Sequence, residues 1–181
     1  KAKDVNVRIQ DALHHLVDKV YNKLYYIDTP FDESSIRKLF AQNGQTALNL
    51  DQTRQANQLA LDDVLAYIQM NSQAHLKTSL KSVKDRFMKA PYGFVEDDVE
   101  YLVAQLFRQG DIAFTVNGAP VNLMNKTKDE IINYITKRQF VEKLMMERKI
   151  RISSKDKNTC KDIMRELLQI TPATDDEDEL M

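Results

Sequence analysis

The sequence predicts a mainly α, α+β chain: an N-terminal helical bundle followed by a winged-helix-like helix-turn-helix with a β-hairpin. Three observations predict it. Only four Gly and four Pro occur in 181 residues, and because those residues punctuate turns, most of the chain must run in helices. Apolar residues recur at spacings of three and four from Val5 to Phe107, the period of an amphipathic helix. Between Ser79 and Leu123, two such stripes joined by Ala90-Pro91-Tyr92-Gly93-Phe94 precede a short alternating stretch around Asn117-Gly118. That is the order helix, turn, helix, hairpin.

The first helix is predicted over Val5 to Tyr26, from Val5, Ile9, Leu13, Leu16, Val20 and Leu24. Tyr21, Tyr25 and Tyr26 widen its apolar face as rim-of-core rings whose hydroxyls stay wet. His14 and His15 are sequence neighbours, so they diverge on a helix and cannot share a metal; one is expected to face solvent and the other a packing seam. Asp28-Thr29-Pro30 ends this element. Asp32 is placed as the N-cap of a short helix with Ile36, Leu39 and Phe40, stopped by Asn43-Gly44. A longer helix is predicted over Gln52 to Met70. Its Leu59, Leu61, Val64, Leu65 and Ile68 occupy more than one face and imply a sandwiched position. Asp62-Asp63 diverge and read as a solvated edge, with no ligand partner at suitable spacing. Asn71-Ser72-Gln73 closes the bundle segment, 1–73.

The winged-helix-like module is predicted over 74–154. Its first helix carries Leu76, Leu80, Val83 and Phe87, with Lys77, Lys81 and Lys84 sharing a second face and Arg86 and Lys89 nearby. Pro91 disfavours the α region for Ala90 and ends that helix, and Gly93 can take backbone angles closed to other residues. Pro91, Tyr92 and Gly93 are therefore assigned as the structural turn. The second helix buries Val99, Leu102, Val103, Leu106 and Phe107 and stops at Gly110. Ile112, Phe114 and Val116 then alternate with smaller residues, Asn117-Gly118 makes a type I′ turn, and Val121 and Leu123 return. Thr127 with Glu130 spells a capping box ahead of Ile131, Ile132 and Ile135. Over 140–152 the pattern fits a strand (Phe140, Leu144, Met146, Ile150, Ile152) and also a helix (Phe140, Val141, Leu144, Met145), with the strand preferred. A last helix is expected over 155–170. The tail 171–181, with Asp175-Asp176-Glu177-Asp178-Glu179, has the composition of a disordered terminus.

Charge and motifs bound the function. A formal net charge of -1 gives no general attraction to nucleic acid or an anionic membrane. The one cysteine, Cys160, can form no internal disulfide and suits a reducing cytoplasm. No apolar run approaches membrane-spanning length. There is no phosphate-cradling Gly-rich loop, no Gly-x-Ser-x-Gly and no His/Cys/Asp cluster at ligand spacing, so no catalytic residue, cofactor, metal or small-molecule substrate is assigned.

In a helix-turn-helix the second helix normally enters the major groove, led by its N-terminal residues. Here that end carries Glu96, Asp97, Asp98 and Glu100, which suit the helix dipole but repel phosphates. Across His75 to Ser154 there are 14 Lys plus Arg against 10 Asp plus Glu, a net of +4, which falls short of a binding stripe. The hairpin carries no charge between Ile112 and Leu123. The residues thus favour an interaction segment that contacts other protein domains or subunits. The alternative is a nucleic-acid-binding winged helix that uses Lys77, Lys81, Lys84, Arg86 and Lys89 on possible DNA.

Pro91-Tyr92-Gly93-Phe94, followed by Asp98, Leu102, Ala104-Gln105-Leu106 and Gly110-Asp111-Ile112, resembles a stretch in the large P-loop ATPases of bacteriophage-exclusion (BREX) systems, the BrxC and PglY group. Val20-Tyr21-Asn22-Lys23-Leu24-Tyr25-Tyr26-Ile27 is similar to that group too, and the likeness spans about Val5 to Leu168. It implies an internal, non-nucleotide-binding segment of a longer bacterial ATPase acting in phage defence through assembly with partner proteins or DNA in the cytoplasm. The family's Walker motifs have no counterpart here, so no catalytic residue carries over.

Overall fold

The computed structural model describes residues 4–41 and 56–149, all within one compact unit, Lys1–Lys149. The expected helix 155–170, the tail 171–181, the stop at Asn43-Gly44, Ile150, Ile152 and Cys160 lie outside the described residues. Among the described residues there are six α-helices and a four-stranded antiparallel sheet: α1 (Val5–Val20), α2 (Glu33–Ala41), α3 (Gln58–Gln73), β1 (Thr78–Ser79), α4 (Leu80–Phe87), α5 (Glu96–Gln109), β2 (Ile112–Val116), β3 (Ala119–Val121), α6 (Lys128–Thr136) and β4 (Leu144–Arg148). The predicted fold class is the one observed.

Burial organises the rest. One core cluster runs from Ile36 and Phe40 of α2 to Leu144 and Met146 of β4, so segments 1–73 and 74–154 draw on the same buried side chains. α5 is its axis. Val99, Leu102, Val103 and Ala104 have no exposed surface, and the helix packs against α2, α3, α4, α6 and β2. Phe107 stacks on Phe114 of β2 at 4.1 Å between ring centroids. Gly110 ends α5 at φ 74°, the left-handed C-terminal cap that glycine adopts without a Cβ clash.

The hairpin forms as its sequence demands. Asn117 (φ 52°) and Gly118 (φ 81°) both take positive φ, and Phe114 lies opposite Val121 across the pair. Sheet order is β1-β4-β2-β3. β4 pairs on one side with β2, Phe114 opposite Met146, and on the other with β1, Thr78 opposite Met146. The strand preference over 140–152 therefore holds for Leu144–Arg148, where Leu144 and Met146 turn inward. Phe140 instead closes a short 3-10 turn, Arg138–Phe140. The capping box at Thr127 and Glu130 is present in both directions, and Asp32 accepts the Ser35 backbone N–H at 2.8 Å as an N-cap.

Several expectations change. α1 ends at Val20, and Leu24–Tyr26 is a separate 3-10 turn. None of α1's side chains is buried, so its stripe is no core face, and both His14 and His15 are exposed rather than one entering a seam. Leu76 precedes the strand β1 and is exposed, because the chain leaves α3 at Gln73 and becomes extended before α4 begins. Leu123 lies past the end of β3 and is likewise exposed. α3 begins at Gln58, after Asn57 in the left-handed region at φ 58°.

Candidate functional site

Two places follow from the sequence reading: the lysine face of α4 and the turn at Pro91-Tyr92-Gly93. The five basic residues in and around α4 do not act as one surface. Lys84 stands four residues after Leu80 and three before Phe87, and so borders the buried stripe. Its ammonium donates to Glu100 at 2.5 Å and to Glu96 at 2.7 Å, with 8% of its side chain exposed. Glu96 and Glu100 are one helical turn apart on α5, so two carboxylates converge on one cation. Lys84 draws the half-exposed Glu96 below the usual carboxylate range. Burial pushes Glu100 up and outweighs the Lys84 hydrogen bond there.

The other four are dispersed. Lys81 points away and pairs with Glu142 at 2.5 Å on the surface, which raises the lysine and lowers the carboxylate. Lys77 lies in the connection before β1 and off the helix, so it does not share a helical face with Lys81 and Lys84. Arg86 lays its guanidinium over the Tyr67 ring at 4.9 Å, and Lys89 sits 3.8 Å from Asp85. Lys81, Glu96, Arg138, Gln139, Val141, Glu142 and Lys143 line an open cleft of about 400 Å³ whose rim mixes both charges.

Part of the acidic start of α5 is bound within the fold, while Glu96 and Asp97 stay exposed. Asp98 is buried and accepts the Phe31 backbone N–H at 2.7 Å, with desolvation raising its pKa. Glu100 is bound to Lys84, and Tyr101, one residue on, stacks on Phe31 at 3.6 Å. The helix predicted to be a poor groove reader for its charge also has its apolar face packed into the core.

The turn is a seat for the segment that leaves α1. Gly93 adopts φ 70°, and a Cβ there would lie 2.6 Å from Cδ1 of Tyr21. Lys23 donates its backbone N–H to the Pro91 carbonyl at 3.0 Å. Its ammonium bonds Asp63 at 2.5 Å, within 5.0 Å of the Tyr92 ring centroid, and Tyr92 donates to the same carboxylate at 2.9 Å. Phe87, Tyr92 and Phe94 pack their rings together beneath. The two stretches that carry the resemblance, Val20–Ile27 and Pro91–Phe94, are therefore in direct contact. The sequence reading missed Lys23 and Asp63, since Asp63 was set aside as a solvated edge. The pairing of Glu96 with Glu100 at i and i+4 was the available signal for a buried cation opposite them.

Among the described residues no group of three His, Cys, Asp or Glu side chains could hold a metal ion, and no helix is long and apolar enough to cross a membrane. No solved structure matches this chain. The family described as the BREX ATP-binding protein BrxC winged helix-turn-helix domain matches residues 23–150, from the lysine of the seat to the end of β4 and just beyond. With α4, the Pro91–Gly93 turn, α5 and the β2–β3 hairpin in that order inside the matched span, the chain belongs to the BrxC winged helix-turn-helix family of BREX ATP-binding proteins.

Proposed function

We propose that this winged helix-turn-helix is a protein-contacting, scaffolding segment of a larger bacterial BREX ATPase, and that it carries no catalysis itself. The observation that supports this reading best is the cover on α5. α2 and α6 pack on the helix that would otherwise enter a groove, its Glu96 and Glu100 hold Lys84, and its Asp98 accepts the Phe31 backbone N–H. With α2 and α6 on its flanks, α5 has less free surface to offer a major groove. The basic residues add to the argument, since Lys84 is enclosed between carboxylates and Lys81 and Lys89 each have one beside them, which lowers the net positive charge of this face. On this reading ATP chemistry belongs to other parts of the parent protein. The segment needs no cofactor of its own, its partners are other domains or subunits, and it works in the cytoplasm.

The alternative, a nucleic-acid module, has one observation in its favour: Lys81, Arg138 and Lys143 meet around a single cleft. Titration of the chain against labelled duplex DNA at low salt separates the two. The scaffold reading expects no saturable binding. Affinity that falls steeply with added salt, and disappears on Lys77→Glu with Lys81→Glu, would overturn it in favour of the alternative.

A further inference from the structure

The β2–β3 hairpin, the wing of the fold, ends the sheet at β3, and its sequence lacks the usual defence of such an edge. No residue from Ile112 to Asn125 carries a charge, whereas edge strands are commonly guarded by charged side chains against pairing with another chain. Ile112, Phe114 and Val116 make β2 an apolar run of high strand propensity, the kind of segment that pairs readily when it can. At the other end of the sheet β1 is only two residues long and packs on α3, too little backbone to template a ladder. β3 is the edge that needs closing.

The register decides which of its backbone groups face outward. Val116 and Ala119 flank the two-residue turn as a hydrogen-bonded pair, so the next pair, Thr115 opposite Pro120, is non-hydrogen-bonded, and Phe114 opposite Val121 is bonded again. Pro120 therefore turns its backbone nitrogen and carbonyl away from β2. That nitrogen has no hydrogen to donate. The carbonyl accepts the Asn125 Nδ2–H at 2.9 Å. Asn122, two residues on and so facing the same way, donates its N–H to Asn125 Oδ1 at 2.9 Å. One carboxamide thus occupies a carbonyl and the N–H two residues later, the pair of groups that a residue of an added parallel strand would take. The carboxamide is itself held in place, because Asn122 Oδ1 accepts the backbone N–H groups of Met124 and Asn125 at 3.0 and 2.8 Å.

We infer that Pro120 and Asn125 together cap the outer edge of the wing and keep a second copy of this chain from adding a strand to it. The cap takes the place of the missing charges: Pro120 removes a donor, and Asn125 fills the neighbouring acceptor and donor from within the same chain. The wing is then left to make contacts through side chains alone. The inference concerns how the wing can be approached and does not depend on the choice between protein and DNA above, so either can fail alone.

Hydrogen exchange and sedimentation of the full chain test it together. In Asn125→Ala the Asn122 amide should exchange several-fold faster than in wild type, while the Ala119 and Val121 amides, bonded to β2, keep their rates. Asn125→Asp keeps the acceptor and should hold the Asn122 rate near wild type. Pro120→Val with Asn125→Ala restores an outward N–H and frees both capped groups. Its sedimenting mass should climb with concentration between about 1 and about 300 μM, well above the wild-type curve. Adding Ala119→Lys, at an exposed position of the same strand, should bring the mass back to that curve. Melting followed by circular dichroism shows that the associating chain is folded, and if the double variant has no cooperative melt, the Asn125→Ala exchange comparison decides alone. An Asn122 amide indifferent to Asn125→Ala, a folded double variant that sediments as wild type does, or association that Ala119→Lys leaves in place would each overturn the cap.

Discussion

Replacing Lys84 by Met tests the internal electrostatics most directly. Methionine keeps most of the apolar stem, so the change chiefly deletes the ammonium that Glu100 and Glu96 share. Glu96 is half-exposed and can turn to water, so it contributes little to the loss. Glu100 cannot. Only 6% of its side chain is exposed, and it would be left as an unpaired buried carboxylate. Breaking a buried pair from one side costs about 3–5 kcal/mol, and in a unit of this size that lowers Tm by roughly 10 °C or more. Urea or thermal unfolding followed by circular dichroism reads the effect. The pH dependence is the sharper readout. Burial already holds Glu100 above its unfolded value of 4.5, so its contribution is fully favourable below that pH and is lost as pH rises. Without Lys84 the folded pKa climbs further, so the variant's deficit should shrink on acidification towards pH 4.5 and be largest at neutrality. Lys84→Met combined with Glu100→Leu should recover most of the stability, because a well-packed apolar pair replaces a buried ionic one at little cost. A loss below about 1 kcal/mol, or one that does not vary with pH, would refute the reasoning.

Two further predictions concern the backbone. Gly93→Val combines a positive φ with a contact of 2.6 Å to the Tyr21 ring, so it should cost about 1–3 kcal/mol from conformation alone and more from the clash. Adding Tyr21→Ala should relieve the steric part and leave the conformational part, and unchanged melting of Gly93→Val would show that the turn does not need glycine. Asn57 is fully buried, accepts the Asp28 and Thr29 backbone N–H groups and donates to the Thr29 carbonyl. Asn57→Ala should therefore cost about 1–3 kcal/mol in urea unfolding, and Asn57→Asp, which sets a buried carboxylate against the Thr29 carbonyl and beside Asp28, should cost at least as much at neutral pH.

Much of this architecture was written in local signals. Gly110 and Asn117-Gly118 need positive φ, Thr127 and Glu130 satisfy each other's neighbours, and Pro91 cannot continue a helix. Each acts within a few residues, so composition and spacing suffice to place it. The alternation that put Leu144 and Met146 on one side of a strand was legible for the same reason. What the sequence could not decide was which surface each stripe meets. α1 and α5 have equally clear apolar periodicity, yet α5 is the buried axis and α1 has no buried side chain. Periodicity reports that a face is apolar and is silent about whether another element reaches it. The lysines of α4 show the same limit for charge. Lys81 and Lys84 differ by three positions, but one pairs at the surface and the other is enclosed between two glutamates from a helix across the turn. The strength of a charge depends on its desolvation and on partners distant in sequence, and both are set only when the helices pack.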